Sequence, residues 1–317
     1  MSVIPGGHEM YSLIIPVYKN EECITDLIQT CKWIKEHVGN PIEFIFVIDG
    51  SPDKSHYLLE EQLRSKNLIY RLVVLSKNFG SFAAIRSGLQ VANGQFYAVM
   101  AADLQEPKDL VCQFFKTLEA DECDVVVGTR EHRSDPWLTK MSSKLFWQCY
   151  RFLVHREMPI GGVDVFGCNR LFRDQLILLK ESNSSLVGLI YWLGFRRKTL
   201  NYDRQKRGHG KSAWTLRKKV NYMLDSLFSF TDLPIRILIM IGFMGVVLSC
   251  GLGLVIFISK IFGQIPVPGY ATTAILIVLF ASLNSLGLGI VGMYVWRAFE
   301  NTKSRPEFLI MKNQRGD

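Results

Sequence analysis

Cysteines at paired spacing and, over two long stretches, charge of either sign are what this 317-residue sequence lacks. Its seven cysteines, at 23, 31, 112, 123, 149, 168 and 250, show no CxxC or metal-ligand spacing. That argues against a zinc module or a disulfide framework and for reduced thiols in a reducing compartment. The first 15 residues have neither a basic n-region nor an apolar h-region, so no cleavable signal is expected. Charge is absent from Ile237 to Ile258, 22 residues, and from Ala271 to Trp296, 26 more. Soluble helices of that length keep a polar face and these have none, so each run is expected to span a bilayer. At about 1.5 Å per residue they would measure roughly 33 and 39 Å against a hydrocarbon core of about 30 Å, so the second is expected to tilt.

The charge that is present sits unevenly. Arg196 to Lys219 holds ten Lys or Arg and one acid, a local +9, so with a formal total of +8 the remainder sums to −1. Just ahead of an apolar run, the counter-charges for such a patch are anionic headgroups or a lipid phosphate. Nucleic acid is the weaker partner, because no aromatic reading surface or known motif accompanies the patch. Arg236 precedes the first apolar run and Arg297, Lys303 and Arg305 follow the second, whereas the connecting loop Ser259 to Tyr270 carries only Lys260. The positive-inside rule then puts both termini in the cytoplasm. The expected organisation is a cytoplasmic domain at 1–213, a juxtamembrane interfacial helix at 214–232, spans at 235–259 and 271–297, and a cytoplasmic tail at 298–317, in a cell membrane.

The first 130 residues alternate short β-rich runs (Tyr11 to Pro16, Glu43 to Asp49, Tyr70 to Leu75, Phe96 to Ala101, Asp124 to Gly128) with helical stretches near Glu22 to His37, Lys54 to Ser65, Ser81 to Ala92 and Pro107 to Glu119. This alternation predicts a doubly wound, mostly parallel α/β sheet, whose ligands bind at the C-terminal strand ends. An amphipathic segment follows at about 136–155, with Leu138, Met141, Leu145, Cys149 and Phe152 on one face. Its Trp137 and Trp147 suit a membrane interface, and packing on the domain explains the pattern equally well.

Polar groups fall at four strand ends: Pro16 and Tyr18, Asp49 and Ser51, Lys77 and Asn78, Asp103 and Gln105. Ser51, Pro52 and Asp53 also read as a turn before a helix, an explanation that serves Asp49 and Asp103 less well. Asp103 and Gln105 offer hard oxygen ligands to Mg²⁺ or Mn²⁺, or Asp103 caps the next helix. Gly80 either lets backbone approach a nucleotide or starts a helix; the tract Asn78 to Gly94 is neither a GxGxxG nor a P-loop. Asp164, in an apolar context after Gly161 and Gly162, is either a general base that deprotonates or orients an acceptor, or a structural carboxylate paired with Arg170 or Arg173. Arg204, Lys206, Arg207 and Lys211, interleaved with Gly208 and Gly210, suit a phosphate clamp.

Six motifs in this order carry a resemblance over nearly the whole chain: LIIPVYKNEE at 13–22, VIDGSPD at 47–53, NFGSFAAIRSG at 78–88, VMAADLQEP at 99–107, GGVDVF at 161–166 and RGHGKSAW at 207–214. The chain resembles glycosyltransferase family 2, in particular the polyprenyl-phosphate sugar synthases of the dolichol-phosphate mannose synthase and bactoprenol glucosyltransferase kind. The resemblance implies a GT-A-like fold and inverting transfer of a sugar from a nucleotide-sugar, with UDP-glucose the expected donor, onto undecaprenyl phosphate or a close relative. It implies nucleotide-sugar contacts at Pro16, Tyr18, Asp49, Lys77, Gly80 and Asp103, a metal site for Mg²⁺ or Mn²⁺ at Asp103 and Gln105, and Asp164 as base. Arg204, Arg207, Lys211 and Ser212 would contact the lipid phosphate and diphosphate. Ala101 stands where the usual DxD begins, Ile48 where a paired Asp is usual, and Lys19 and Asn20 where Asn and Glu are common. A processive polysaccharide synthase would need a QxxRW sequence and more spans, and a transporter more polar groups within them than Asn284 and a few serines and threonines. A catalytically weak scaffold of the same fold is the other rival. Gly242, Gly245, Gly287, Gly289 and Gly292 could pack spans together within a chain or in a homo-oligomer.

Overall fold

The computed structural model describes residues 10–64, 67–130, 148, 151, 159, 163, 165–179, 185–205, 216–262 and 269–316. The chain divides into two compact units, 1–222 with 305–317, and 223–304. The expected amphipathic segment at 136–155 lies almost wholly outside the described residues.

The first unit is built on one eight-stranded sheet. Its strands are β1 (Tyr11–Val17), β2 (Ile42–Ile48), β3 (Ile69–Leu75), β4 (Phe96–Val99), β5 (Val125–Arg130), β6 (Val165–Asn169), β7 (Arg197–Tyr202) and β8 (Ile310–Gly316), in spatial order β7-β5-β6-β4-β1-β2-β3-β8. The sequences YSLIIPV and IEFIFVI of β1 and β2 are buried at every residue but Pro16, as parallel strands covered on both faces must be. Helices α1 (Ile24–His37), α2 (Ser55–Arg64), α3 (Ser81–Val91) and α4 (Lys108–Glu119) supply the cover. In α1 the buried set Ile24, Leu27, Ile28, Cys31 and Ile34 repeats at helical spacing, leaving one stripe to pack and one to face water. Tyr11 of the central strand stacks on Phe115 of α4 with ring centroids 4.3 Å apart. At the N-terminal strand ends Ser12 Oγ donates to Glu43 Oε1 at 2.7 Å, and Asn93 N donates to the same oxygen at 2.6 Å, so the buried carboxylate is satisfied.

Two strands depart from the expected pattern. β6 runs antiparallel between β4 and β5, so VFGCN, outside the elements expected from the sequence, is a core strand. β8 runs antiparallel to β3 and comes from the stretch assigned to a tail at 298–317. Its sequence, IMKNQRG, is polar because an edge strand needs only one neighbour and keeps much of its surface in water.

The second unit is helical. Leu216–Phe230 leads into it, followed by long helices at Leu233–Ile261 and Tyr270–Thr302. Among the described residues one segment, Leu279–Thr302, is long and apolar enough to cross a bilayer. A second, Met223–Phe230 with Leu233–Gly245, meets that measure only as a pair bent by 75°. The break falls at Thr231 and Asp232, and Pro234, with no backbone N–H to leave unpaired, sits in the first turn of the helix that follows; Thr231 Oγ1 accepts from Leu233 N at 3.1 Å. Arg297 fastens the same corner, with Nη2 2.7 Å from Asp225 Oδ1 and Nη1 donating to Ser229 Oγ at 3.1 Å. Of the five glycines, Gly287 sits against Leu238 and Gly245 near Phe280, whereas Gly242, Gly289 and Gly292 face open space.

Candidate active site

The sheet creates a crevice at its C-terminal edge. From β1 the chain winds outward to β2 and β3, then crosses to the other side of β1 to form β4, so the strand order reverses between β1 and β4. Such switch points leave the following loops splayed apart. Pro16 marks the opening. The Ile14 carbonyl accepts from Met100 N at 3.0 Å on the β4 side, and by strand alternation position 16 faces the same side, beyond the end of β4. A residue without an N–H costs nothing there, which is how a proline sits in a central strand.

Four sequence-predicted groups meet along this edge. Tyr18, 36% exposed, follows β1; Asp49 follows β2; exposed Lys77 and half-buried Gly80 follow β3; half-buried Asp103 follows β4. Two of the four described non-glycine residues with positive φ are here, Lys19 at 56° and Leu104 at 54°. Backbone held in that region by the surrounding fold aims neighbouring side chains, in this case those of the loops after β1 and β4, on either side of the switch point.

Asp49 also has a part within the fold. It is 2% exposed, and its Oδ1 and Oδ2 accept from Phe79 N at 2.7 Å and Gly80 N at 2.9 Å. Its own carbonyl accepts from Asn78 Nδ2 at 3.2 Å. Burial pushes its pKa up, against the two amides, which pull it down. The carboxylate thus holds the backbone of the Lys77–Gly80 loop. Gly50 makes the approach feasible: its φ is +55°, and a Cβ there would lie 2.3 Å from Lys77 C and Asn78 N. Gly80, at φ 96° and ψ 159°, occupies backbone space that is essentially glycine's alone before α3 begins.

Asp53 stitches the first two loops together. Its carboxylate accepts from Ser51 Oγ at 2.6 Å, Ser55 Oγ at 2.8 Å and Glu21 N at 3.1 Å, while Ser51 Oγ accepts from Lys19 N at 2.7 Å. Burial raises its pKa, but these hydrogen bonds outweigh it and hold the group below the usual carboxylate value. The turn reading of Ser51 to Asp53 fits, and nothing local in the sequence marks that the turn also fixes the Tyr18 loop.

One contact joins motifs a hundred residues apart. Arg204 Nη2 donates to Gln105 Oε1, and Gln205 N donates to the Gln105 carbonyl at 2.9 Å. The phosphate-clamp segment therefore begins against the Asp103–Gln105 loop. Other cations of the basic patch are spent internally: Arg196 on Asp121 at 2.6 Å and Asp124 at 3.0 Å, Lys198 on Glu122, and Arg197 over the Tyr191 ring at 4.6 Å. The +9 stretch is in part a set of clasps at the start of β7. Asp164, Arg207, Lys211 and Ser212 lie outside the described residues. Arg173, one partner considered for Asp164, is 3.1 Å from Asp174 Oδ1 and donates to the Tyr97 hydroxyl at 2.6 Å.

For a divalent cation, Asp103 fits as the single carboxylate that Mg²⁺ or Mn²⁺ needs beside substrate phosphates. Gln105 does not fit while its carbonyl oxygen holds the Arg204 guanidinium. No group of three or more His, Cys, Asp or Glu suited to a metal occurs among the described residues.

The family model for glycosyl transferase family 2 matches residues 12–178, a little over half of the chain and the span that holds all four loops. The chain belongs to glycosyltransferase family 2. Relatives similar to it along nearly their whole length include an uncharacterized glycosyltransferase YkcC of Bacillus subtilis, 27% identical with 96% of this chain and 94% of the relative aligned. The SfII prophage-derived bactoprenol glucosyl transferase of Shigella flexneri is 27% identical over 96% and 99%. An undecaprenyl-phosphate 4-deoxy-4-formamido-L-arabinose transferase of Proteus mirabilis is 28% identical over 95% and 93%. Among solved structures, the mannosyltransferase PcManGT from Pyrobaculum calidifontis in complex with GDP-Man and Mn²⁺ is similar at 14% identity and a TM-score of 0.44, over 92% of this chain and 88% of that one.

Proposed function

We propose that this family 2 glycosyltransferase moves a sugar, glucose from UDP-glucose foremost, onto a polyprenyl phosphate of the undecaprenyl kind at the cytoplasmic face of a membrane. The observation that carries the reading is the meeting of Arg204 with Gln105, two residues from Asp103: a guanidinium suited to a diphosphate on the loop that carries a carboxylate suited to its counter-ion. Alignment with bactoprenol and undecaprenyl-phosphate sugar transferases from end to end, apolar helices included, supports the lipid acceptor.

In this reading an oxygen of the lipid phosphate attacks the anomeric carbon from the face opposite the nucleotide. The new C–O bond forms as the bond to the diphosphate breaks, and that electron pair leaves on the nucleoside diphosphate. A divalent ion held at Asp103 would neutralise the leaving charge. Tyr18 and Lys77 flank the donor, and Arg204 with Arg207, Lys211 and Ser212 hold phosphate oxygens. A phosphate monoester with a second pKa of about 6 is mostly dianionic at neutral pH. It needs little help losing a proton, so Asp164 serves to orient the acceptor more than to deprotonate it.

Two spans are the reading of the helical unit. Residues before 223 and after 304 belong to the same sheet-bearing unit, so an excursion that enters a membrane crosses it an even number of times. Arg236, Arg297, Lys303 and Arg305 count towards a cytoplasmic orientation even though acids lie beside some of them, because acids contribute little to that rule.

The test is transfer of radiolabel from a panel of UDP- and GDP-sugars into organic-extractable lipid by the purified protein with undecaprenyl phosphate, with and without Mn²⁺, beside Asp103→Ala and Asp164→Asn. Metal-dependent label from one donor, lost in Asp103→Ala, is the expected result. Absence of label from every donor in folded protein would support the scaffold reading instead.

A further inference from the structure

The last strand lies outside everything the donor reading uses, yet the residues leading into it hold the chain on either side of the donor loop. β8 pairs with β3 from Tyr70↔Gly316 to Leu75↔Ile310, and the register shifts between Val74 and Leu75, where β3 turns into the loop. Just ahead of β8 the Leu309 carbonyl accepts from Ser76 N at 2.9 Å, the residue immediately before Lys77. Two residues earlier, Glu307 Oε1 lies 3.1 Å from Arg86 Nη1 on α3, with the side chains 16% and 8% exposed. Arg86 also donates to the carbonyls of Leu176, at 3.5 Å, and Leu179. Further along, Lys312 Nζ lies 3.5 Å from Glu60 Oε1.

Residues 307–309 therefore grip Ser76 before the Lys77–Gly80 loop and Arg86 on the helix after it. Between those grips the loop is held from the other side by Asp49. A loop that ends in Gly80 at φ 96° has little stiffness of its own there, so its shape is set by what clamps the chain on either side. Removing one partner of a largely buried ion pair costs far more than the pair adds, so the Glu307 clamp is hard to replace by water.

We infer that Glu307 and Leu309 are positioning residues for the nucleotide-sugar: the segment that follows the long apolar helices sets the geometry of the Lys77–Gly80 loop, and through it donor affinity. The inference rests on the donor reading above. It assigns the C-terminal segment a part in a site of the same unit that the chain leaves after residue 222.

The test uses the full chain in one detergent, with UDP and GDP as probes in calorimetry and with transfer kinetics resolved for donor and acceptor. Glu307→Ala is expected to weaken binding of the preferred nucleotide about tenfold and to raise donor KM in step. Acceptor KM should stay unchanged, and Glu307→Asp should recover most of the loss. Glu307→Gln, which keeps the shape, is expected to move the same way and serves if the alanine variant does not fold. Unchanged nucleotide affinity in either folded variant overturns the inference, as does a loss in which donor and acceptor KM move together with kcat. Wild-type protein that binds neither nucleotide overturns the donor reading itself, a result separable from a failure of the variants.

Discussion

Asp49→Asn separates a scaffold carboxylate from a ligand carboxylate. The wild-type group is 2% exposed and gives one oxygen to Phe79 N at 2.7 Å and the other to Gly80 N at 2.9 Å. Asparagine keeps the shape but offers one acceptor, and its NH₂ faces the second amide donor to donor. A hydrogen bond to a charged group contributes about 1.5–3 kcal/mol, and a buried donor left unmade costs about 1–3 kcal/mol. Against this, asparagine avoids the burial of charge that pushes the Asp49 pKa up. The expected net loss is about 2 kcal/mol. For a unit of this size that is a fall of about 4–8 °C in melting temperature. Melting of both proteins in the same detergent without nucleotide, followed by tryptophan fluorescence, measures it, with UDP affinity as the companion. An unchanged melt with lost UDP affinity would refute the scaffold assignment, since that is how a carboxylate serving only the ligand behaves.

Three further outcomes are expected. Gly50→Ala places a Cβ 2.3 Å from Lys77 C and Asn78 N at a φ of +55°, so it should destabilise by about 2–4 kcal/mol; a melt within a degree of wild type would contradict the close approach. Arg196 holds the Asp124 carboxyl below its ordinary value of 3.8, chiefly by hydrogen bonds, so this contribution is present above 3.8 and lost as pH falls through the folded value. Denaturant titrations between neutrality and pH 3 should show stability dropping at the acid end, with a shallower drop in Asp124→Asn. Arg204→Lys and Gln105→Leu should each raise donor KM, and the double variant by less than the product of the two, because they break the same contact. Full multiplicativity would show that the contact does not matter to the donor.

Much of the sheet was legible because its signals are local. Unbroken apolar runs at Leu13–Val17 and Phe44–Ile48, helical spacing in α1 and charge-free stretches after Arg236 each depend on neighbours a few residues away. The candidate site was legible as a set of strand ends, since a residue after a buried parallel strand has few places to go. What each polar group does there was not. Asp49 and Asp103 look alike in sequence, one after IFVI and one after VMAA, and only the return of the β3 loop across β2 gives the first its two amides. Arg196 to Lys198 look like the rest of the basic patch until Asp121, Glu122 and Asp124, some 75 residues away, are brought beside them.

The sequence by itself determined the family, the strand and helix alternation of the first unit and the apolar character of the second, because burial and period are written into composition along the chain. Tertiary structure alone decided which carboxylates bind backbone, that Gln105 holds Arg204, and that 310–316 closes the sheet rather than trailing as a tail. Those outcomes depend on partners between 30 and 250 residues distant, and a polar side chain carries no local mark of which of them the fold will bring within hydrogen-bonding reach.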